Sequence, residues 1–172
     1  MAPKALAANY RIEALEARHD RSSFCCGVSE LDIYLQQRAG QDLKRRLAAV
    51  FVLTPDGETI SGYYTLSAHS IMGADLPPYL AKQLPRFPLP VTLLGRMAVA
   101  QAVQGSGLGE YLLLDALNRS LKGSRQVASW AVVVDAKAGA RSFYLKHDFI
   151  PLPTNPDRLF LPMKTIKTLF AV

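Results

Sequence analysis

Apolar and polar positions along this chain recur at spacings that predict short strands and helices in alternation. Tyr10 to Leu15 alternates weakly and is expected as a first strand, followed by a turn-rich link from Ser22 to Gly27. Ser29 is expected to cap a helix, because Leu31, Tyr34, Leu35, Leu43 and Leu47 then recur near helical spacing, and Gly40 and its neighbours are placed to break that stretch into two helices. Ala48 to Leu53 is a short apolar run, and Thr59 to Ser67 alternates with aromatic and β-branched members. Pro55-Asp56-Gly57 between them is a strong turn signal, so the pair reads as a β-hairpin.

In the second half, Pro77 to Leu84 is expected as a short helix closed by Pro85, and Pro85 to Pro90 as irregular. Val91 to Val99 is an apolar strand leading to a loop with Gly105, Gly107 and Gly109, and Leu108 to Leu121 is long and leucine-rich enough for a helix. Gln126 to Val134 reads as a buried strand, Lys137 to His147 as a helix, and Phe149 to Leu152 and Arg158 to Met163 as closing strands. Strands alternating with helices imply an α/β or α+β sandwich around one sheet. With no repeat, low-complexity tract or long linker, a single domain over 1–172 is expected.

Composition adds little to this picture: 49% hydrophobic and 20% charged residues are an ordinary globular balance. Charge adds more. A formal net charge of +6 favours an anionic partner such as a nucleic acid or a phosphorylated ligand, although spare solvated lysines would give the same number. Cys25 and Cys26 are neighbours, which rarely meet disulfide geometry, and His19, His69 and His147 are scattered, so reduced thiols and no metal site are expected. The N-terminus lacks the pattern of a secretory signal, and no apolar run approaches the roughly 20 residues that span a bilayer, so a cytoplasmic protein with no membrane partner is expected.

The most informative segment runs from Leu94-Gly95-Arg96-Met97-Ala98-Val99 to Gln104-Gly105-Ser106-Gly107-Leu108-Gly109. An apolar strand enters a glycine-rich turn that opens a helix. Glycine lets the backbone turn tightly and bring its amides close to a ligand, and the helix start adds unpaired N–H groups and a positive dipole end. A pyrophosphate suits both. The spacing G-x-G-x-G departs from the dinucleotide pattern G-x-G-x-x-G, and the Gly-Lys-Ser/Thr of a nucleoside-triphosphate loop is absent. A glycine turn that merely permits close packing is the plain alternative.

Gln104 to Gly109 resembles the Q/R-x-x-G-x-G/A signature of GNAT acetyltransferases, whose loop amides bind the pyrophosphate of coenzyme A. The resemblance covers nearly the whole chain and is closest to the GNAT toxins of bacterial toxin–antitoxin pairs. Phe24-Cys25-Cys26-Gly27 with Leu31, Tyr34 and Leu35 resembles that group's opening. Leu94 to Val99 is similar to its L-G-R-L-A-V strand, and Ser142 to Phe149 to its F-Y-x-x-x-G-F segment, with Asp148 where glycine is usual. That glycine serves a left-handed helix C-cap, a conformation Asp can adopt at some cost. The resemblance implies a single mixed sheet with a splayed central strand, Leu93 to Val99 by position, and helices on both faces. It implies acetyl-CoA along Met97, Ala98 and Val99 and at Gln104, Gly105, Ser106, Gly107, Leu108 and Gly109. It implies acetylation of the α-amine of charged tRNA, a cognate antitoxin and a homodimer.

Acetyl transfer needs the thioester held near the nucleophile, a stabilised oxyanion and a proton for the thiolate. A backbone amide near Met97 to Val99 is the expected oxyanion donor. On its own sequence context Tyr144 reads first as a packing residue with its hydroxyl at the rim; the resemblance reverses this and implies that it is the group's general acid. No Asp or Glu stands on Leu93 to Val99. A lysine acceptor, with a pKa near 10.4, would need a base, whereas a free α-amine, near 7.7–8.0, needs little help, least of all beside an ester. Arg38, Lys44, Arg45 and Arg46, with Arg86 and Arg96, are candidate phosphate contacts for an RNA. For the first cluster a solvated helix face, with an Arg38–Asp42 pair, is the alternative. Two rival functions remain. One is acetylation of a small amine or protein N-terminus, for which Asp75, Glu58 and Asp135 are loose acidic candidates. The other is a non-catalytic coenzyme A-binding module.

Overall fold

The structure is a computed structural model that describes residues 9–137 and 139–171. Seven strands form one open mixed sheet in the order β1-β2-β3-β4-β5-β7-β6, with helices between them. Of the two arrangements that the alternation of patterns allows, the α+β fold is the one observed. Tertiary packing divides the chain into two compact units.

The first unit holds residues up to Ser67 together with Gly95–Ala116. β1 (Arg11–Ala14) pairs antiparallel with β2 (Ala49–Thr54), and β2 with β3 (Gly62–Ile71), whose last residues fall in the second unit. The hairpin turn is built by polar side chains. The Asp56 carboxylate accepts from the Glu58 and Thr59 amides and the Thr59 hydroxyl, while Thr54 Oγ1 accepts from the Gly57 amide at 2.9 Å. Gly57 takes φ +87°, the left-handed region that glycine enters without cost. The core packs Leu15, Phe24, Cys26, Tyr34, Leu35, Val50, Val52 and Tyr63 with Ala98.

The helical stretch after the link differs from expectation. Its first helix, α1 (Ser29–Ile33), starts at Ser29, so the N-cap is Val28 and no side chain caps it. Gly40 does not break it. The chain passes through one π-helical segment, Tyr34–Arg38, straight into α2 (Ala39–Lys44). A Cβ on Gly40 would lie 2.8 Å from an Arg21 guanidinium nitrogen, so Gly40 marks close approach rather than a stop. The stretch ends at Arg46, left-handed at φ 59°, where the Leu47 amide returns to Asp42 O and the Arg46 amide to Leu43 O. These are the two bonds of a Schellman cap. Asp42 accepts the Tyr34 hydroxyl at 2.8 Å rather than pairing with Arg38.

The second unit holds Ala68–Leu94 and Leu117–Val172. A short α3 (Pro78–Ala81) precedes β4 (Leu89–Val99). β4 runs parallel to β5 (Ala131–Asp135) from Thr92↔Val132 to Leu94↔Val134. α4 (Leu108–Gly123) begins in the first unit and ends in the second. β5 pairs antiparallel with β7 (Asn155–Pro162), and β7 with β6 (Ile150–Leu152). β5 starts later than the apolar pattern from Gln126 suggested, because the Gln126 and Val127 amides both turn back to Gly123 O and extend the end of α4. The helix expected over Lys137 to His147 is α5 (Arg141–Lys146), with Ala138 outside the described residues. Met163 opens a further helix, α6 (Met163–Leu169), instead of closing a strand. Ile71, Leu76, Leu89, Val91, Ala131, Val133, Leu152 and Phe160 form this unit's core.

Candidate active site

The glycine loop follows β4 through the one-turn segment Gln101–Val103 and enters α4 at Leu108. Gly105 and Gly107 both take φ +81°. A Cβ on Gly105 would meet nothing within 4 Å, so the left-handed backbone and not crowding requires glycine there. The Tyr111 amide donates to Gly107 O at 3.2 Å and starts the helical ladder. Upstream, the backbone N–H groups of Gly105, Ser106, Gly107, Leu108 and Gly109 have no acceptor among the described residues. Unpaired amides at a helix start are an anion site.

The side chains of this loop hold its shape. The Gln104 amide nitrogen donates to Cys26 O and to Val99 O, each at 2.8 Å, and the Ser106 hydroxyl donates to Val103 O. Leu108 is buried and anchors the helix. The Gln101 amide donates to Cys25 O at 2.8 Å, and Gly27, at φ +92°, leaves no room for a Cβ beside the Gln101 side chain. Phe24-Cys25-Cys26-Gly27 is therefore a brace for the loop, a role that sequence patterning did not reveal because the partners stand more than 70 residues apart.

On β4, Met97 and Val99 are half-buried and Ala98 is in the core. The Arg96 guanidinium lies 3.6 Å from the centre of the Tyr34 ring, and its backbone amide donates to Thr65 Oγ1. Burial and the bond to Asp42 push the Tyr34 hydroxyl up to about 12, so it stays protonated as a donor to that carboxylate. Arg96 is thus fixed against an aromatic plane, while Arg38, Lys44, Arg45 and Arg46 are exposed on or just after the first helical stretch. In the second unit, Arg86 is exposed in the link before β4.

Tyr144, also in the second unit, is 7% exposed. Asp148 takes φ 68°, the left-handed turn expected where the similar segment has glycine. The Phe149 amide then reaches Tyr144 O and the Asp148 amide reaches Leu145 O, a second Schellman cap. It folds Phe149 edge-on against the Tyr144 ring with centroids 5.4 Å apart, and Phe143 flanks the ring at 5.3 Å. Burial raises the phenol's pKa above its usual value. The hydroxyl has no partner among the described residues, and no fully buried side-chain oxygen there lacks one, so it reaches the protein surface. Of the loose acidic candidates, Asp135 is held by Arg158 Nε at 2.6 Å and Nη2 at 2.9 Å.

The parallel β4–β5 pairing stops at Leu94, and the strand runs on into a glycine turn of unpaired amides, an arrangement that suits a phosphate-bearing ligand. The family model for the acetyltransferase (GNAT) domain matches residues 46–151, and the chain belongs to that family. It is 38% identical over 151 residues to the tRNA-acetylating toxin of Mycobacterium tuberculosis, covering 87% of this chain and 90% of that protein. Among solved structures it resembles AtaT complexed with acetyl-methionyl-tRNAfMet at a TM-score of 0.87 and 30% identity, covering 94% of this chain and 99% of that one. It also resembles a tyrosine-to-phenylalanine mutant of AtaT bound to the C-terminus of the antitoxin AtaR and acetyl-CoA, at a TM-score of 0.83 and 28% identity over 95% and 99% of the two chains.

Proposed function

We propose that this protein is an acetyl-CoA-dependent N-acetyltransferase that acetylates the α-amine of aminoacyl-tRNA and thereby blocks translation. One observation carries the reading: the run of acceptor-free amides from Gly105 to Gly109 in a strand–glycine–helix turn, which fits a pyrophosphate. Acetyl-CoA supplies the acetyl thioester. The chain's own residues supply the rest. Gln104 and Ser106 keep the loop in shape, and Leu108 and Gly109 present amides from the first turn of α4. Met97, Ala98 and Val99 offer backbone to the cofactor's arm and an amide to the developing oxyanion. Tyr144, a phenol that is protonated at neutral pH and whose anion burial disfavours further, donates a proton to the departing thiolate. An α-amine beside an ester is largely neutral near pH 7, so no carboxylate is needed on β4.

Similarity to a tRNA-acetylating toxin and to AtaT with acetyl-methionyl-tRNAfMet supports the acceptor class. The exposed Arg38, Lys44, Arg45, Arg46 and Arg86, with the fixed Arg96, are proposed to contact RNA phosphates. The resemblance to AtaT bound to AtaR supports a cognate antitoxin. A cytoplasmic homodimer, each chain one GNAT domain over 1–172, completes the proposal; no helix among the described residues is long and apolar enough to cross a membrane. The test is cell-free translation. Adding the protein with acetyl-CoA should arrest synthesis, and adding it without acetyl-CoA should not. Arrest independent of acetyl-CoA, or none in its presence, would overturn the reading.

A further inference from the structure

In the second unit, three polar side chains from three strands meet at the carboxyl end of β5. Asp135, its last residue, stands one position past Leu94↔Val134, where the parallel pairing with β4 ends, and opposite Arg158 of β7. Its carboxylate takes Arg158 Nε and Nη2 at 2.6 and 2.9 Å, and His69 of β3 lies 3.3 Å from Arg158 Nη1. A guanidinium only donates, so His69 Nε2 accepts and its proton sits on Nδ1. Two of the guanidinium's five N–H groups then remain without a partner among the described residues. The arginine side chain is 27% exposed, so these donors are both oriented and reachable. Ligands of open α/β sheets bind beyond the carboxyl ends of strands, where neighbouring strands part.

We infer that Asp135, Arg158 and His69 form a recognition site for the aminoacylated 3′ end of the RNA, with Arg158 donating to the ester carbonyl and a ribose oxygen. The inference rests on the aminoacyl-tRNA reading above. Asp135 neutralises the guanidinium, so the site offers directional donors without net positive charge. That suits uncharged oxygens better than phosphate. Asp135 and His69 are positioning residues: one fixes the plane of the fork, the other its outer nitrogen.

The test is steady-state acetylation of bulk charged tRNA, with the KM for acetyl-CoA measured beside the KM for RNA. Arg158→Gln should raise the RNA KM roughly 10- to 100-fold, the worth of a missing charge-assisted hydrogen bond, and leave the acetyl-CoA KM unchanged. Arg158→Lys should not rescue, because an ammonium cannot span both Asp135 oxygens. His69→Gln, which keeps an acceptor, should stay near wild type, while His69→Leu should show part of the loss; this pair decides the matter if the Arg158 variants fail to fold. An RNA KM within about twofold of wild type in Arg158→Gln, under 0.5 kcal/mol, would overturn the site. So would His69→Gln and His69→Leu behaving alike. If wild type itself acetylates no charged tRNA, the acceptor reading fails, and this site with it.

Discussion

Tyr144 owes its environment to the residues that follow it. Four positions on, Asp148 turns left-handed, and Phe149 comes back onto the phenol ring. The ring is clamped while the hydroxyl stays at the surface and protonated. Tyr144→Phe removes that hydroxyl and keeps the packing, so thermal stability and acetyl-CoA affinity should hold. Acid catalysis is worth about 10²- to 10⁴-fold, or roughly 3–5 kcal/mol of barrier. Single-turnover acetylation at saturating acetyl-CoA should therefore fall by that range, and a rate within about threefold of wild type would return Tyr144 to a packing role. The loop permits an equally local test. Gly107→Val places a β-branched side chain at φ +81°, beside amides proposed to approach the cofactor closely. Calorimetry should show acetyl-CoA binding abolished in a folded protein; unchanged binding would dissociate the loop from the cofactor.

Caps and turns are where the elements depend most on single residues. Asp148 holds a left-handed conformation that costs a non-glycine residue about 1 kcal/mol. Asp148→Gly should hold or raise the urea midpoint, and Asp148→Val should lower it and reduce turnover, because the clamp on Tyr144 loosens with the cap. At the other end of the chain, His19, Arg11 and Arg18 pull the Glu13 carboxyl of β1 down from 4.5 to about 2. The Glu58 and Thr59 groups do the same for Asp56 in the hairpin turn, from 3.8 to about 2. Groups lowered on folding stabilise fully above their unfolded pKa values and lose that contribution as pH falls through the folded ones. Stability from both should thus hold above about pH 5 and drain away between there and pH 2. Glu13→Gln should flatten that acid limb in a thermal-melt series; an identical limb in the variant would exclude the carboxylate.

Elements with short-range signals were legible in the sequence. The hairpin needed only Pro55-Asp56-Gly57 between apolar runs, and the loop only its glycines between strand and helix. The expected break at Gly40 is absent because that glycine answers to Arg21, far away in sequence. The expected start of β5 came too early because the amides after α4 fold back onto Gly123. The brace of Gln104 on Cys26, and the meeting of His69, Asp135 and Arg158, depend on strand order, which no local pattern carries.

For the molecule as a whole, charge is proposed to govern how an RNA is met. With a formal net charge of +6, and Lys44, Arg45 and Arg46 exposed where the first helical stretch ends, the affinity for tRNA should fall steeply with salt. Reversing these three charges should weaken binding and reduce the log–log salt slope by up to about 0.9 for each phosphate no longer neutralised. An unchanged slope would leave the cluster as a solvated face. Acetyl transfer to the amine of an amino acid carried on RNA has one direct measurement. Purified protein is incubated with acetyl-CoA and a mixture of charged tRNAs, and the aminoacyl adducts are identified by mass spectrometry. N-acetyl-aminoacyl-tRNA should form with wild type and be nearly absent with Tyr144→Phe. Acetylation confined to free small amines or protein N-termini, with every aminoacyl-tRNA left unmodified, would contradict it.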